Sequence, residues 1–281
     1  MMSSDLISCN DTRMADGFAS FGFRSDAVYR MMADTSITIG GGFLAGYLLG
    51  YLDPSSDIDF YVHGGVAKQR DATMTDEVYF AQKHREDAFY RLVLRQFKAF
   101  VTEQGYEEQA LPEGTYGDEI TSAGTRLFTT GSNVRMRIHY FKATINGLEK
   151  TLNLIFTDTP IPDVVRSVDI SVCACYMWAT SPMMIGYYHA HPFDIEHRLL
   201  RWVEPDSTHT DRQITRWNKY SVRYGLREAR ALTLAQFIEE YDTLPENGIY
   251  VLCGPQDQFR SLPVTRRVRG MPYATFVPFT A

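Results

Sequence analysis

Between Ser36 and Val62 the chain reads SITIGGGFLAGYLLGYLDPSSDIDFYV. Ser36 to Ile39 alternate polar and apolar, the period of a half-buried strand, and Gly40, Gly41 and Gly42 break that pattern. Phe43, Leu44, Tyr47 and Leu48 then recur at helical spacing, so the glycines sit between a strand and a helix start. Asp57 and Asp59 alternate with Ile58, Phe60 and Val62. A strand there sends both carboxylates from one face, their Cα atoms about 6.7 Å apart, and buries the other face. The order of strand, glycine turn, helix and acidic strand forces an α/β or α+β architecture.

That juxtaposition suits phosphate and metal chemistry. Bare amides at a glycine turn beside a helix N-terminus favour anions. Magnesium or manganese takes hard oxygen ligands, often one or two carboxylates together with substrate phosphates. Where two ions act together, they lie about 3.5 to 4 Å apart and clamp attacking and leaving oxygens. Each half has a bland account by itself, a tight turn and a solvated strand edge. Their combination at this spacing favours a site.

The stretch resembles the signature of the DNA polymerase beta-like nucleotidyltransferase superfamily, in which a glycine turn, a short helix and an Asp-x-Asp strand follow one another. Gly41 to Gly50 is similar to the head segment of CCA-adding enzymes and bacterial poly(A) polymerases, with Ala45 and Gly46 where those enzymes carry Arg-Asp. Small nucleotidyltransferase-like proteins of phages are similar in style. The resemblance implies an α+β fold, a nucleotidyltransferase-like mixed sheet flanked by helices and followed by a smaller, mainly helical lobe. It implies an enzyme using a nucleoside triphosphate, with Asp57 and Asp59 as metal ligands and Gly40, Gly41, Gly42 and Ser56 around the nucleotide. It also implies a third carboxylate on a later strand. Pattern places Asn153 there, within Lys150 to Phe156. An amide oxygen can ligate a metal but carries no charge and is a poor base. Asp158 and Asp169 stand nearby as substitutes out of strand phase. The phage proteins further imply a basic element matched by Arg216, Lys219, Tyr220, Arg223 and Gly225.

Along the rest of the chain, residues 17 to 33 read as a helix and Asp76 to Gln104 as a long amphipathic helix, with Val78, Phe80, Phe89, Leu92, Val93 and Phe100 on its apolar side. Strand-like segments follow at Thr125 to Thr129, Val134 to Ala143 and Lys150 to Thr157, the last two joined by the hairpin signal Asn146-Gly147. Ile161 to Trp178 is expected to be helical, residues 180 to 194 a connector, and Asp211 to Tyr224 a helix whose Arg212, Arg216, Lys219 and Arg223 form a basic stripe. These readings divide the chain into a nucleotidyltransferase-like domain over 1 to 178 and a mainly helical lobe over 179 to 281.

With 281 residues and 44% hydrophobic content the chain can bury a sizeable core. No apolar run approaches the ~20 residues that span a bilayer, and MMSSDLISCNDTR lacks a signal-peptide core, so no membrane partner is expected and a cytoplasmic location is, in the host cytoplasm if the source is viral. Cys9, Cys173, Cys175 and Cys253 lack metal-ligand spacing and read as free thiols. His63, His189, His191 and His197 read as ordinary histidines, and Leu244 to Ala281 is rich in Pro, Gly and aromatics and contains the basic run Arg266-Arg267-Val268-Arg269. A net charge of -6 disfavours nonspecific grip on nucleic acid backbone. The expected function is metal-dependent transfer of a nucleoside monophosphate to an RNA, protein or small-molecule hydroxyl. The rival is a catalytically silent nucleotide-binding or scaffolding protein of viral origin.

Overall fold

The structure, a computed structural model, describes residues 12–51, 53, 55–66, 73–111, 118–122, 125–129, 134–181, 184–191, 194–195, 198–203, 210–228, 249–254 and 273–278. It is an α+β protein built on a mixed sheet flanked by helices. The chain opens with helices α1 (Thr12–Ala19) and α2 (Ser25–Thr35), then strand β1 (Thr38–Gly40), helix α3 (Gly41–Leu48), strand β2 (Ile58–His63) and helix α4 (Asp76–Thr102). Strands β3 (Glu107–Gln109), β4 (Asp118–Ser122), β5 (Thr125–Thr129), β6 (Arg135–Ile145) and β7 (Leu148–Thr157) follow, then helix α5 (Ile161–Arg166) and a 3-10 turn over Ser171–Cys173. The remainder comprises strands β8 (Cys175–Ser181), β9 (Met184–His189) and β10 (Leu199–Leu200), helix α6 (Asp211–Tyr224), and strands β11 (Arg227–Glu228), β12 (Ile249–Gly254) and β13 (Tyr273–Pro278).

Among the described residues one eleven-stranded sheet runs β13-β12-β9-β8-β1-β2-β7-β6-β5-β4, with β3 paired to β6. β2 and β7 at its middle are parallel, and Asp59 lies opposite Asn153. β1 flanks β2 antiparallel, so the acidic strand is hydrogen-bonded on both edges and its register is fixed. β6 and β7 form a hairpin around Asn146 and Gly147, whose φ values of 52° and 77° suit the left-handed positions of a tight turn.

The two faces of the sheet are distinct. Ile58, Phe60 and Val62 of β2 and Leu152, Leu154 and Phe156 of β7 are fully buried on the face covered by α4. Phe97 of α4 sets its ring 5.0 Å from Phe60 and 5.5 Å from Phe141, edge to face, each such pair adding about 0.5–1.5 kcal/mol beyond burial. Phe23 stacks on Phe100 at 5.0 Å and brings the α1–α2 segment onto the same layer. The opposite face carries Asp57, Asp59, Tyr61 and Asn153 and receives α5 through Val164 and Val165. Helix α4 begins with Thr75 accepting from the Val78 amide, and Asp76 and Glu77 in its first turn complement the helix dipole.

Several expectations need correcting. The helix over 17 to 33 is two helices, broken at Ser20–Arg24 where Gly22 takes a φ of 81°. The apolar stripe of α4 is right only in its second half: Phe89 and Phe100 pack on the core and Val93, Phe97 and Val101 are buried, whereas Val78, Phe80 and Leu92 are exposed. Ile161 to Trp178 is a six-residue helix, a 3-10 turn and part of β8, and 180 to 194 contains β9 in place of a connector. The short helix ends because Ser167 and Val168 break the turn, and Tyr176 and Trp178 in the stretch after Ala174 fit a pleated, half-buried strand. A boundary at 178 falls inside β8; beyond it β9, β12 and β13 join the same sheet, and among the described residues after 178 α6 is the one helix longer than a turn. His197 and Arg266 to Arg269 lie outside the described residues.

Candidate functional site

Asp57 immediately precedes β2 and Asp59 is its second residue, so strand alternation places both on the face away from α4. Asn153 arrives from β7 in register with Asp59. Its amide nitrogen donates to Asp59 Oδ1 at 2.8 Å and to Asp57 Oδ2 at 3.1 Å, so one buried NH2 joins the two carboxylates. The amide oxygen of Asn153 is buried with no hydrogen-bond partner among the described residues. Burial, then the neighbouring Asp57 charge, raises the Asp59 pKa to about 7, while Asn153, Arg216 and Arg212 oppose the rise. Between the unfolded carboxyl's ordinary range and that value the folded chain binds more protons than the unfolded one. Stability of the metal-free protein therefore falls as pH rises from about 4 towards 7. Urea midpoints taken along this range should decline less in Asp59→Asn; an identical decline would reject the assignment.

The glycine turn abuts this pair. Gly41 has a φ of 72°, and a Cβ there would stand 2.7 Å from Asp59 Oδ2, so both backbone conformation and the carboxylate require glycine. Gly42 and Gly46 serve another purpose. Their open faces receive Tyr220 and Tyr224 of α6: a Cβ on Gly42 would collide with the Tyr220 hydroxyl, and one on Gly46 would lie 3.0 Å from the Tyr224 hydroxyl and 2.6 Å from the Tyr51 carbonyl oxygen. Helix α6 thus docks on α3 through two glycines and two tyrosines, each pair four residues apart.

α6 is well defined by its sequence. Thr210 accepts from the Gln213 amide while the Gln213 side chain accepts from the Thr210 amide, a capping box, and Gly225 closes the helix in the left-handed conformation. Its basic stripe is largely engaged by the protein. Arg216 binds both oxygens of Asp169 at 2.7 Å, and Arg223 pairs with Asp53. Asp53 also accepts from the Ser55 amide at 2.9 Å, shaping the turn that precedes Asp57. Arg212 and Arg216 still lower the Asp59 pKa, so the amino-terminal half of α6 faces the carboxylates electrically. Lys219 is exposed.

Other anticipated residues have structural roles. The Ser56 hydroxyl is buried and bonds the Tyr224 phenol. Asp158 accepts from the Arg135 amide and Thr159, and Asp169 is committed to Arg216, so neither replaces Asn153. Cys173 and Cys175 are buried free thiols, and burial pushes Cys173 up to about 11 and Cys175 well above the usual thiol range, which removes thiolate chemistry. Burial lowers His189 to about 3; its Nε2 meets the Val172 carbonyl and its Nδ1 accepts from the His191 amide. Among the described residues no three His, Cys, Asp or Glu side chains converge as a metal set. Residues absent from the sequence reading are Tyr61, next on the Asp57–Asp59 face, and Tyr224; that reading places Tyr220 in the basic element and not in a helix contact. Gly42-x-x-x-Gly46 and Tyr220-x-x-x-Tyr224 were the available signals.

No family model matches the chain, and no curated protein does. Among solved structures the chain is similar to the Thermotoga maritima CCA-adding enzyme complexed with tRNA, at 13% identity and a TM-score of 0.39. The similarity covers 74% of this chain and 38% of that one, so the chain spans well under half of that enzyme's length. At such identity and score, only the site's own geometry supports a functional reading. No helix among the described residues is long and apolar enough to cross a membrane.

Proposed function

We propose that this protein binds a nucleoside triphosphate with a divalent cation at Asp57 and Asp59 and transfers its nucleoside monophosphate to a hydroxyl acceptor. The observation that carries this reading is the convergence of both carboxylates on the Asn153 amide, beside the amino terminus of α3. Two carboxylates leaving one strand face supply hard oxygen ligands that fit magnesium or manganese, which commonly complete their coordination from phosphates and water. When bound, the cation would supply charge neutralisation at the triphosphate. Asp57 and Asp59 hold it, Gly40 to Gly42 bring the α3 amides towards phosphate, and Arg212, Arg216 and Lys219 add positive charge from α6. In the transfer, the acceptor oxygen bonds the α-phosphorus, the bond to the β-phosphate bridge breaks, pyrophosphate leaves and the hydroxyl proton passes to solvent. The acceptor is a hydroxyl of RNA, protein or a small molecule.

A second reading, a nucleotide-binding protein without catalysis, is favoured by one observation: the position facing Asp59 across the parallel pair is an amide and not a third carboxylate. Asn153→Asp separates the two. Incorporation of α-labelled nucleotide into cellular RNA or protein should be slow in the natural chain and rise about 100-fold in the variant, the lower end of general-base effects. Nucleotide binding without incorporation by either protein would establish the silent reading.

A further inference from the structure

A second constellation lies on the opposite face of the sheet. His139 of β6 is opposite Leu154 in the hairpin, whereas Asn153 is opposite Tyr140, so His139 projects on the α4 side and away from Asp57 and Asp59. There the Tyr90 hydroxyl of α4 is 2.9 Å from His139 Nε2, and His139 Nδ1 is 2.5 Å from Glu108 Oε1 of β3. Lys98 holds the other Glu108 oxygen at 2.6 Å. The Arg137 guanidinium stacks 4.0 Å over the Tyr90 ring, and its Nε is buried without a hydrogen-bond partner among the described residues. Phe156 packs edge-on against Tyr90 at 5.0 Å and fixes the ring.

This is the order of parts in an activated nucleophile: a hydroxyl, an imidazole to take its proton and a carboxylate to orient the imidazole. A carboxylate on Nδ1 selects the tautomer with its proton there, leaving the Nε2 lone pair to accept from the phenol. Burial lowers the His139 pKa against the raising effect of Glu108, which favours the neutral, proton-accepting ring. The guanidinium beside the Tyr90 ring supplies positive charge near an anion at the phenol oxygen.

We propose that Tyr90 is an activated phenol that accepts a phosphoryl group from an anionic phosphoric anhydride drawn to Arg137. Tyr90 Oη forms the new bond to phosphorus, the anhydride bond to the leaving group breaks, and the phenol proton moves to His139 Nε2. Glu108 retains its hydrogen bond to Nδ1 throughout. Tyr90 is the nucleophile; His139 is its base and Glu108 a positioning residue.

The full-length protein is treated separately with 4-(fluorosulfonyl)benzoate and with acetyl phosphate, and adducts are assigned by peptide mass spectrometry. The sulfonyl probe forms an S–O bond and releases fluoride, so it reports nucleophilicity at an anion-accepting site; acetyl phosphate reports the transferred group. Tyr90 should be sulfonylated roughly 100-fold faster than the similarly half-buried Tyr140, the lower end of general-base effects, and should carry the phosphoryl adduct. Glu108→Gln and His139→Gln should slow Tyr90 and leave Tyr140 unchanged, and Arg137→Met should slow this anionic probe more than neutral benzenesulfonyl fluoride. A network that merely ties α4, β3 and β6 together would show no such selectivity. Equal rates at Tyr90 and Tyr140, insensitivity to both Glu108→Gln and His139→Gln, or no phosphoryl group on the Tyr90 peptide overturns the proposal. Asp59→Ala should retain both adducts, so the result is independent of the carboxylate site.

Discussion

Asp57→Ala and Asp59→Ala should each weaken binding of a magnesium–nucleoside triphosphate roughly 100-fold or more while the protein stays folded. Truncating one member of a hydrogen-bonded charge cluster costs about 2–5 kcal/mol, and each 1.4 kcal/mol is a factor of ten in affinity. Both carboxylates share the Asn153 amide, so neither can be replaced by a neighbour: Asp158 and Asp169 are already bound elsewhere. Calorimetric titration with a nucleotide, with and without magnesium, reads the effect. The loss should appear only in the presence of the metal, because removing a negative charge by itself makes the site more receptive to bare phosphate. Equal affinity of all three proteins for the metal complex would end the assignment.

Gly46→Ala should destabilise the chain by about 2 kcal/mol or more, and Gly42→Ala by somewhat less. Forced overpacking in a filled interior costs about 1–3 kcal/mol, and the Gly46 position is blocked by a main-chain oxygen that cannot rotate aside. At Gly42 the obstacle is a hydroxyl at the end of the Tyr220 side chain, so Tyr220→Phe should recover much of the loss in the double variant. Urea denaturation of the four proteins measures the coupling directly. If Gly42→Ala is as stable as the natural protein, or if Tyr220→Phe restores nothing, α6 does not rest on this face of α3. The same experiment reassigns Gly42: its smallness is demanded by a helix contact, a requirement separate from any phosphate.

Much of the site was visible in the sequence because its parts are local. The period-two run through Asp57 to Val62 fixed the shared face of the carboxylates, and Asn146-Gly147 fixed the hairpin that delivers Asn153 beside Asp59. Helix α6 was bounded by its own end signals and observed over the same residues as expected. The errors came from information that the local pattern does not hold. Val172, Cys175 and Tyr176 satisfy a helical spacing by coincidence, and whether an apolar run becomes helix or strand is settled by the open edge of β1 that β8 completes. The basic stripe was correctly placed on one helix, yet its partners Asp169 and Asp53 lie 47 and 170 residues away in the chain, the second separation being the difference of 223 and 53. Side chains that meet only through tertiary contact leave no periodic trace. The Tyr90, His139 and Glu108 set is spread over three elements and was invisible for the same reason.

The contact between α3 and α6 also limits how a chain of this kind can drift. Position 46 is closed by the Tyr51 carbonyl oxygen as well as by Tyr224, whereas positions 42 and 220 fill one volume between them. A methyl gained at one must be matched by atoms lost at its partner, so substitutions there are accessible in pairs and not singly. Ser56 extends the restriction, since its hydroxyl answers the Tyr224 phenol one residue before Asp57. The helix that brings positive charge to the carboxylates is therefore bound to the glycine turn by a shared allotment of space, and changes in α6 must be negotiated with the residues of α3 beside Asp57 and Asp59.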